Sequence, residues 1–193
     1  MSNRLIIRRL SDNTDGDGWL AGIRSWLTAE ELAAAENFAP RRRRDFLTWR
    51  AAVRQELGRD VEISYDASGA PLLGGGLHIG VSHSANIAVV IVGDAPCAVD
   101  TEPLTRNFER VRRRYMTESE AVLSDDGRLP AAVWCAKEAL YKLGGGCGCD
   151  FLRDIVVTEV DFAAGRICGT VCGSAPVVLK MEIFEDNIIV FNG

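Results

Sequence analysis

The chain has 193 residues, 47% of them hydrophobic, with four Trp and a net charge of −5. That is enough apolar material for one large domain or two small lobes, and it excludes a disordered chain. The acidic balance argues against a general nucleic-acid binder, no apolar run reaches membrane-spanning length, and Met1 to Leu10 lacks the apolar stretch of a secretion signal, so the chain is expected in the cytoplasm.

In chain order, Leu5 to Ile7 predicts a first strand. Thr28-Ala29-Glu30-Glu31 is a capping box, so a helix begins near Ala29 and runs to about Phe38. Pro40 opens a second helix that Gly58 ends. Its apolar stripe is Phe46, Trp49, Val53 and Leu57, and Arg43, Arg50 and Arg54 fall off that stripe. Val61 to Tyr65 alternates like a strand before the turn Asp66 to Gly69. Strands over Leu77 to Val81 and Ile87 to Val92 bracket Ser82-His83-Ser84. After the turn Gly93 to Pro96 comes a short strand, Ala98 to Glu102. Asn107 to Tyr115 reads as a helix, and Thr117 to Glu120 is a second capping box. A polar loop, Ser124 to Leu129, precedes a helix from Pro130 to Leu143 that ends in three glycines, and Ile155 to Phe191 is strands and turns.

An internal echo runs through this order. Trp49-Arg50-Ala51 resembles Trp134-Cys135-Ala136, and Asn86-Ile87-Ala88-Val89 resembles Asn187-Ile188-Ile189-Val190. The expectation is an α+β body of two pseudo-symmetric halves, residues 1–96 and 97–193, each with helices packed on an antiparallel sheet. The crevice between such halves is a natural ligand site.

The chemistry centres on Asp100 and Glu102. Two residues apart on a strand, they point the same way, and paired carboxylates on one face call for a cation between them. The plain alternative is a strand edge whose acids face water. Trp134, Glu138 and Lys142 share one face of the Pro130 helix. Alone, Glu138 and Lys142 read as an ordinary surface ion pair and Trp134 as a core aromatic. If that helix packs beside the Asp100 strand, Glu138 becomes a third carboxylate and the set suits Mg²⁺. The arginines cluster at Arg41 to Arg44 and at Arg106 to Arg114, each read as a solvated helix face or as a local anion-binding patch. Cys147, Cys149, Cys168 and Cys172 have CxC…CxxxC spacing, which is not a standard zinc pattern.

Several blocks carry a family resemblance. Val99-Asp100-Thr101-Glu102, Tyr115-Met116-Thr117-Glu118-Ser119-Glu120 and Trp134-Cys135-Ala136-Lys137-Glu138-Ala139-Leu140-Tyr141-Lys142 resemble the G-[IV]-D-x-E, F-[ST]-x-x-E and W-x-x-K-E-[AS]-x-x-K elements of the 4′-phosphopantetheinyl transferases. Gly69-Ala70-Pro71 and Ser82-His83-Ser84 match that family's G-K-P and S-H-S elements in the same order. The chain is similar to the larger, single-chain, pseudo-dimeric branch typified by the surfactin-synthetase-activating enzyme.

The resemblance implies a fold, a reaction and a site. The fold is the 4′-phosphopantetheinyl transferase fold. The reaction is Mg²⁺-dependent transfer of the phosphopantetheine arm of coenzyme A to a serine of an acyl or peptidyl carrier protein, with release of 3′,5′-ADP. Asp100, Glu102 and Glu138 are the implied metal ligands and, with Lys142, the catalytic set. Arg44, Arg50, His83, Lys137 and Lys142 are the implied coenzyme contacts, and the second arginine cluster, Arg106 to Arg114, is expected to meet an acidic carrier helix. The protein is expected to act as a monomer, because two lobes in one chain complete the crevice. Ala98, Ala70, Tyr115-Met116 and Gly144 to Cys149 depart from the family pattern. Two rivals are a non-catalytic coenzyme A or carrier-binding protein and a hydrolase built on Ser82 or Ser84 with His83. Neighbours on a strand point to opposite faces, which disfavours the hydrolase.

Overall fold

The computed structural model describes residues 3–10, 18–145 and 148–193. It is a mixed α+β fold with antiparallel sheets, as the sequence predicts. A three-stranded sheet has the order β1 (Arg4–Arg9), β5 (Ile87–Gly93), β4 (His78–His83). A five-stranded sheet has the order β6 (Val99–Pro103), β10 (Asn187–Phe191), β9 (Val177–Phe184), β8 (Arg166–Val171), β7 (Ile155–Asp161). A small hairpin pairs β2 (Ile63–Tyr65) with β3 (Pro71–Leu73). The helices are α1 (Gly18–Ala21), α2 (Ala29–Ala35), α3 (Pro40–Leu57) and α4 (Leu129–Leu143). No helix among the described residues is long and apolar enough to cross a membrane.

Both sheets are organised around a central strand that is apolar on both faces. Every residue of β5 is buried. Ala88, Val90 and Val92 pack on Trp49, Ala52 and Val53 of α3. The alternate residues Ile87, Val89 and Ile91 pack on Val99, Ile189 and Phe191 of the second sheet. In β10, Ile188 and Val190 face the core under α4, while Ile189 and Phe191 face the first sheet. A strand buried on both faces reads as a continuous apolar run, which is how both appear in the sequence. The two sheets therefore meet along a seam, with β4 beside β6. A side chain at Gly80 would lie 2.8 Å from the Ala98 Cα, so the two backbones come this close only with glycine there.

The helix ends follow the local chemistry. Thr28 accepts a hydrogen bond from the Glu31 N–H, and Glu31 accepts one from the Thr28 N–H, completing the capping box. The helix it opens stops at Ala35, three residues short of Phe38. Pro40 starts α3, and Gly58 ends it with φ of +113°.

Two readings need correction. Asn107 to Tyr115 is not a helix: it is a chain of turns with one 3₁₀ turn, Arg112–Arg114. Four arginines within five positions repel one another on a helix, and turns still bury Phe108 and Tyr115. The second concerns Arg50 and Arg54, which fall off the apolar stripe of α3 yet do not face solvent. Both are buried, because α2 and the Trp26 segment cover that side of α3. Arg54 donates to both Glu31 oxygens at 2.7 and 2.9 Å, and Arg50 lies 3.5 Å from Glu31.

A second buried pair fixes α4. Lys137 is fully buried, with Nζ 2.8 Å from Glu120 Oε1 and 2.5 Å from the Phe151 carbonyl. Glu120 also accepts from the N–H groups of Val157 and Thr117, tying α4 to β7 and to the preceding loop. Burial lowers the Lys137 ammonium below its ordinary pKa, and the Glu120 charge opposes that shift. Lys137→Met strands the Glu120 carboxylate inside the protein. A loss of about 3–5 kcal/mol in urea unfolding is expected, the cost of removing one partner of a buried ion pair.

Candidate active site

The candidate site lies where β6, β4 and α4 meet. Pro130 and four alanines make α4 a strong helix, and its small residues Ala132, Cys135, Ala136 and Ala139 pack against the sheet. That close approach puts Trp134, Glu138 and Lys142 over the β6 face that carries Asp100 and Glu102. The other face of β6 belongs to the core: Val99 lies in the seam, and the Thr101 hydroxyl donates to the Ile188 carbonyl at 3.0 Å.

Asp100 is buried and is the meeting point. Its Oδ1 accepts from Ser82 Oγ at 2.9 Å and from Lys142 Nζ at 2.8 Å. Lys142 Nζ also donates to the Val99 carbonyl at 2.9 Å. Ser82 Oγ in turn accepts from the Thr101 N–H at 3.2 Å, so the first sheet helps hold the acid of the second. Asp100 Oδ2 is buried with no hydrogen-bond partner among the described residues.

Glu102 is half-buried. Its Oε1 accepts from Trp134 Nε1 at 3.1 Å and is ion-paired with Arg106. Burial pushes the Glu102 carboxyl above its ordinary pKa, with Arg106 opposing and Asp100 adding to the rise. Glu138 is also raised, first by burial and then by the Asp100 charge, with Lys142 opposing. Three acids thus feel one another's charge. They are not drawn together, however: no group of three or more His, Cys, Asp or Glu among the described residues is close enough to hold a metal ion. Like charges hold the acids apart, and Lys142 and Arg106 sit on two of them instead. The donor set still suits a hard divalent cation, because it is all carboxylate oxygen and one of those oxygens is buried without a partner.

The other implied contacts lie along α3 and β4. Ser82 is buried in the seam, and so is Ser84, just past the end of β4, whereas His83 points outward, half-exposed. This alternation separates the imidazole from both hydroxyls. His83 Nδ1 lies 3.6 Å from Asp45, and with Arg41, Arg42, Phe46 and Trp49 it lines a cleft of about 410 Å³. Arg44 is buried behind this cleft, donating to Asp45 at 2.8 and 3.0 Å and to the Ala85 carbonyl at 3.1 Å. Arg50 is further from any open surface. Its guanidinium stacks 3.3 Å from the Phe46 ring centroid, donates to the Phe46 carbonyl and bonds the Tyr65 hydroxyl. Burial brings its pKa down to about 10, against the pull of Glu31. Arg50 and Lys137 are therefore internal braces in this structure, which counts against the coenzyme contacts implied for them.

One participant escaped the sequence reading, and three others entered it without their partners. Asp45 gathers Arg41, Arg44 and His83, and its signal was an acid closing a run of four arginines. Arg106 and Trp134 hold Glu102, and Ser82 holds Asp100; the spacing of Trp134 and the alternation in Ser82-His83-Ser84 carried a signal, whereas the position of Arg106 carried none. Of the cysteines considered for zinc, Cys149 and Cys172 are 3.2 Å apart at sulfur, Cys168 lies on β8, and Cys147 lies outside the described residues.

The model of the 4′-phosphopantetheinyl transferase superfamily matches residues 96–180. That stretch, less than half of the chain, carries Asp100, Glu102, Glu120, Lys137, Glu138 and Lys142. The match supports this superfamily and phosphopantetheinyl transfer in general. No curated protein matches the chain.

The raised carboxyl of Glu138 sets a pH dependence. A carboxyl that binds its proton more tightly when folded costs stability at pH above its folded pKa, and the cost disappears as pH falls to the ordinary value of 4.5. Metal-free Glu138→Gln should therefore melt above the parent protein at pH 7, and the two should converge near pH 4.5. Thermal unfolding across that range reads the difference.

Proposed function

We propose that this chain transfers the phosphopantetheine arm of coenzyme A to a serine of an acyl or peptidyl carrier protein. The observation that carries this reading is the seam at Asp100. One buried carboxylate is held by Ser82 from the first sheet and Lys142 from α4, with a second oxygen left open beside two further acids.

Asp100, Glu102 and Glu138 would hold Mg²⁺, which supplies charge neutralisation for the diphosphate and the departing 3′,5′-ADP. Lys142 offers an ammonium at the same place and can meet a diphosphate oxygen as a point charge. Glu138, with its proton affinity raised by burial, is the base this chain offers to the attacking serine. The serine oxygen bonds to phosphorus, the bond from phosphorus to 3′,5′-ADP breaks, and the serine proton passes to the carboxylate. The cleft at Arg41, Arg42 and His83 is suited to the anionic nucleotide end, with Arg44 and Asp45 positioning it from behind. Arg113 and Arg114 are exposed on the turn after β6 and suit an acidic carrier helix.

Intact-mass spectrometry of an apo carrier protein tests the reading. Incubation with coenzyme A and Mg²⁺ should add about 340 Da, the mass of the arm transferred under metal catalysis. Glu138→Gln should abolish the gain while circular dichroism stays unchanged. Charge reversal at Arg112, Arg113 and Arg114 should raise the carrier concentration needed for half-maximal transfer. No mass gain with any carrier would leave a coenzyme A or carrier-binding protein without transfer.

A further inference from the structure

The two cations already seated on the acids do not have equal holds. Lys142 stands in the last turn of α4 and bonds two acceptors, the Val99 carbonyl and Asp100 Oδ1. Arg106 stands on a turn outside any helix or strand, with its N–H donating to the Pro103 carbonyl at 3.0 Å. Among the described residues its guanidinium bonds Glu102 alone, and the side chain is 36% exposed. Where it now sits it also lies against two rings: the Phe108 and Trp134 ring centroids are 5.1 and 5.0 Å from its central carbon, a cation–π cradle that it already occupies and that its release from Glu102 does not remove. Glu102, for its part, keeps the Trp134 N–H bond at 3.1 Å if Arg106 leaves.

We propose that Arg106 is a displaceable counter-ion: it neutralises Glu102 before a divalent cation binds and gives the carboxylate up when the cation arrives. This rests on the metal-site reading above. Three carboxylates facing two cations carry one net negative charge. A divalent cation added with both side chains in place would leave the cluster positive, so the loosely held guanidinium is released from Glu102 and keeps its aromatic cradle. Arg106 is thus a positioning residue. It keeps Glu102 aimed into the site and sets the affinity for the metal by competing with it.

The test is a Mg²⁺ titration of the full chain at constant ionic strength, followed by Trp fluorescence and by thermal unfolding. Arg106→Gln should bind Mg²⁺ about threefold to tenfold more tightly, the span set by losing one partly exposed ion pair from the metal-free state. Its metal-free form should melt lower and gain more from Mg²⁺ than the parent does. Arg106→Lys should stay near the parent. Arg106→Met keeps the contact with the two rings without the charge, and it serves as the second variant if Arg106→Gln folds poorly. A merely structural arginine would weaken metal binding when removed, so unchanged or weaker affinity in both neutral variants overturns the proposal. If the parent gives no saturable response and Glu138→Gln behaves as the parent does, the metal-site reading fails and takes this inference with it. If the parent responds and Glu138→Gln does not, the site stands and the Arg106 variants alone decide.

Discussion

Burying Asp100 is the constraint to which the rest of the structure answers. A carboxylate taken from water needs compensation on each oxygen. Oδ1 receives it from Ser82 and Lys142, side chains that come from the first sheet and from α4. Oδ2 receives none among the described residues. An unmet acceptor of this kind costs roughly 1–3 kcal/mol or more for a charged group. Such a cost is retained where another group completes the site, and the neighbouring acids identify the sign of that group's charge.

The arrangement depends on how closely α4 lies on its sheet. Its inward side is Ala, Cys and Leu, so the helix settles low, and Gly169 removes the side chain that would otherwise strike Leu140 at 2.7 Å. The Lys137–Glu120 pair then fixes the rotation of the helix. One face is held inward by an ion pair that reaches β7, and the adjacent face, with Trp134, Glu138 and Lys142, is left to look at β6. A buried pair is weak support for stability as such. Its use here is specificity: the ammonium has one position in which all its charge is met, and that position aims the face that carries Trp134, Glu138 and Lys142.

Much of this was legible because it is periodic or motif-borne. The two-residue spacing of Asp100 and Glu102 and the four-residue spacing of Trp134, Glu138 and Lys142 are properties of a strand and a helix, and both formed as written. What was not legible depends on partners distant in the chain. Arg50 and Arg54 lie off the apolar stripe of α3, yet they are buried, because Glu31 on α2 supplies the opposite charge from a separate helix. The turns over Asn107 to Tyr115 replaced an expected helix because four arginines crowd five positions there, while Arg106, just ahead of them, pairs with Glu102 on the strand. Propensity reads neighbours in sequence, and these side chains are governed by neighbours in space.

The same distinction separates the two arginine groups in function. Arg44, Arg50 and Arg54 are saturated by Asp45, Tyr65 and Glu31, so their charge is spent inside the fold. Arg41 and Arg42 remain on the cleft beside His83, where a polyanion could still reach them. A run of basic residues on one helix therefore does two jobs by rotation alone. The inward members brace α3 against α2 and the first sheet, and the outward members give the cleft its charge. Asp45 joins the two sets, since it bonds the buried Arg44 and lies within 4 Å of both Arg41 and His83. An acid in an anion-binding cleft is costly for the ligand. Here it is already neutralised by Arg44, and so it can orient the histidine and the outer arginine without adding net negative charge.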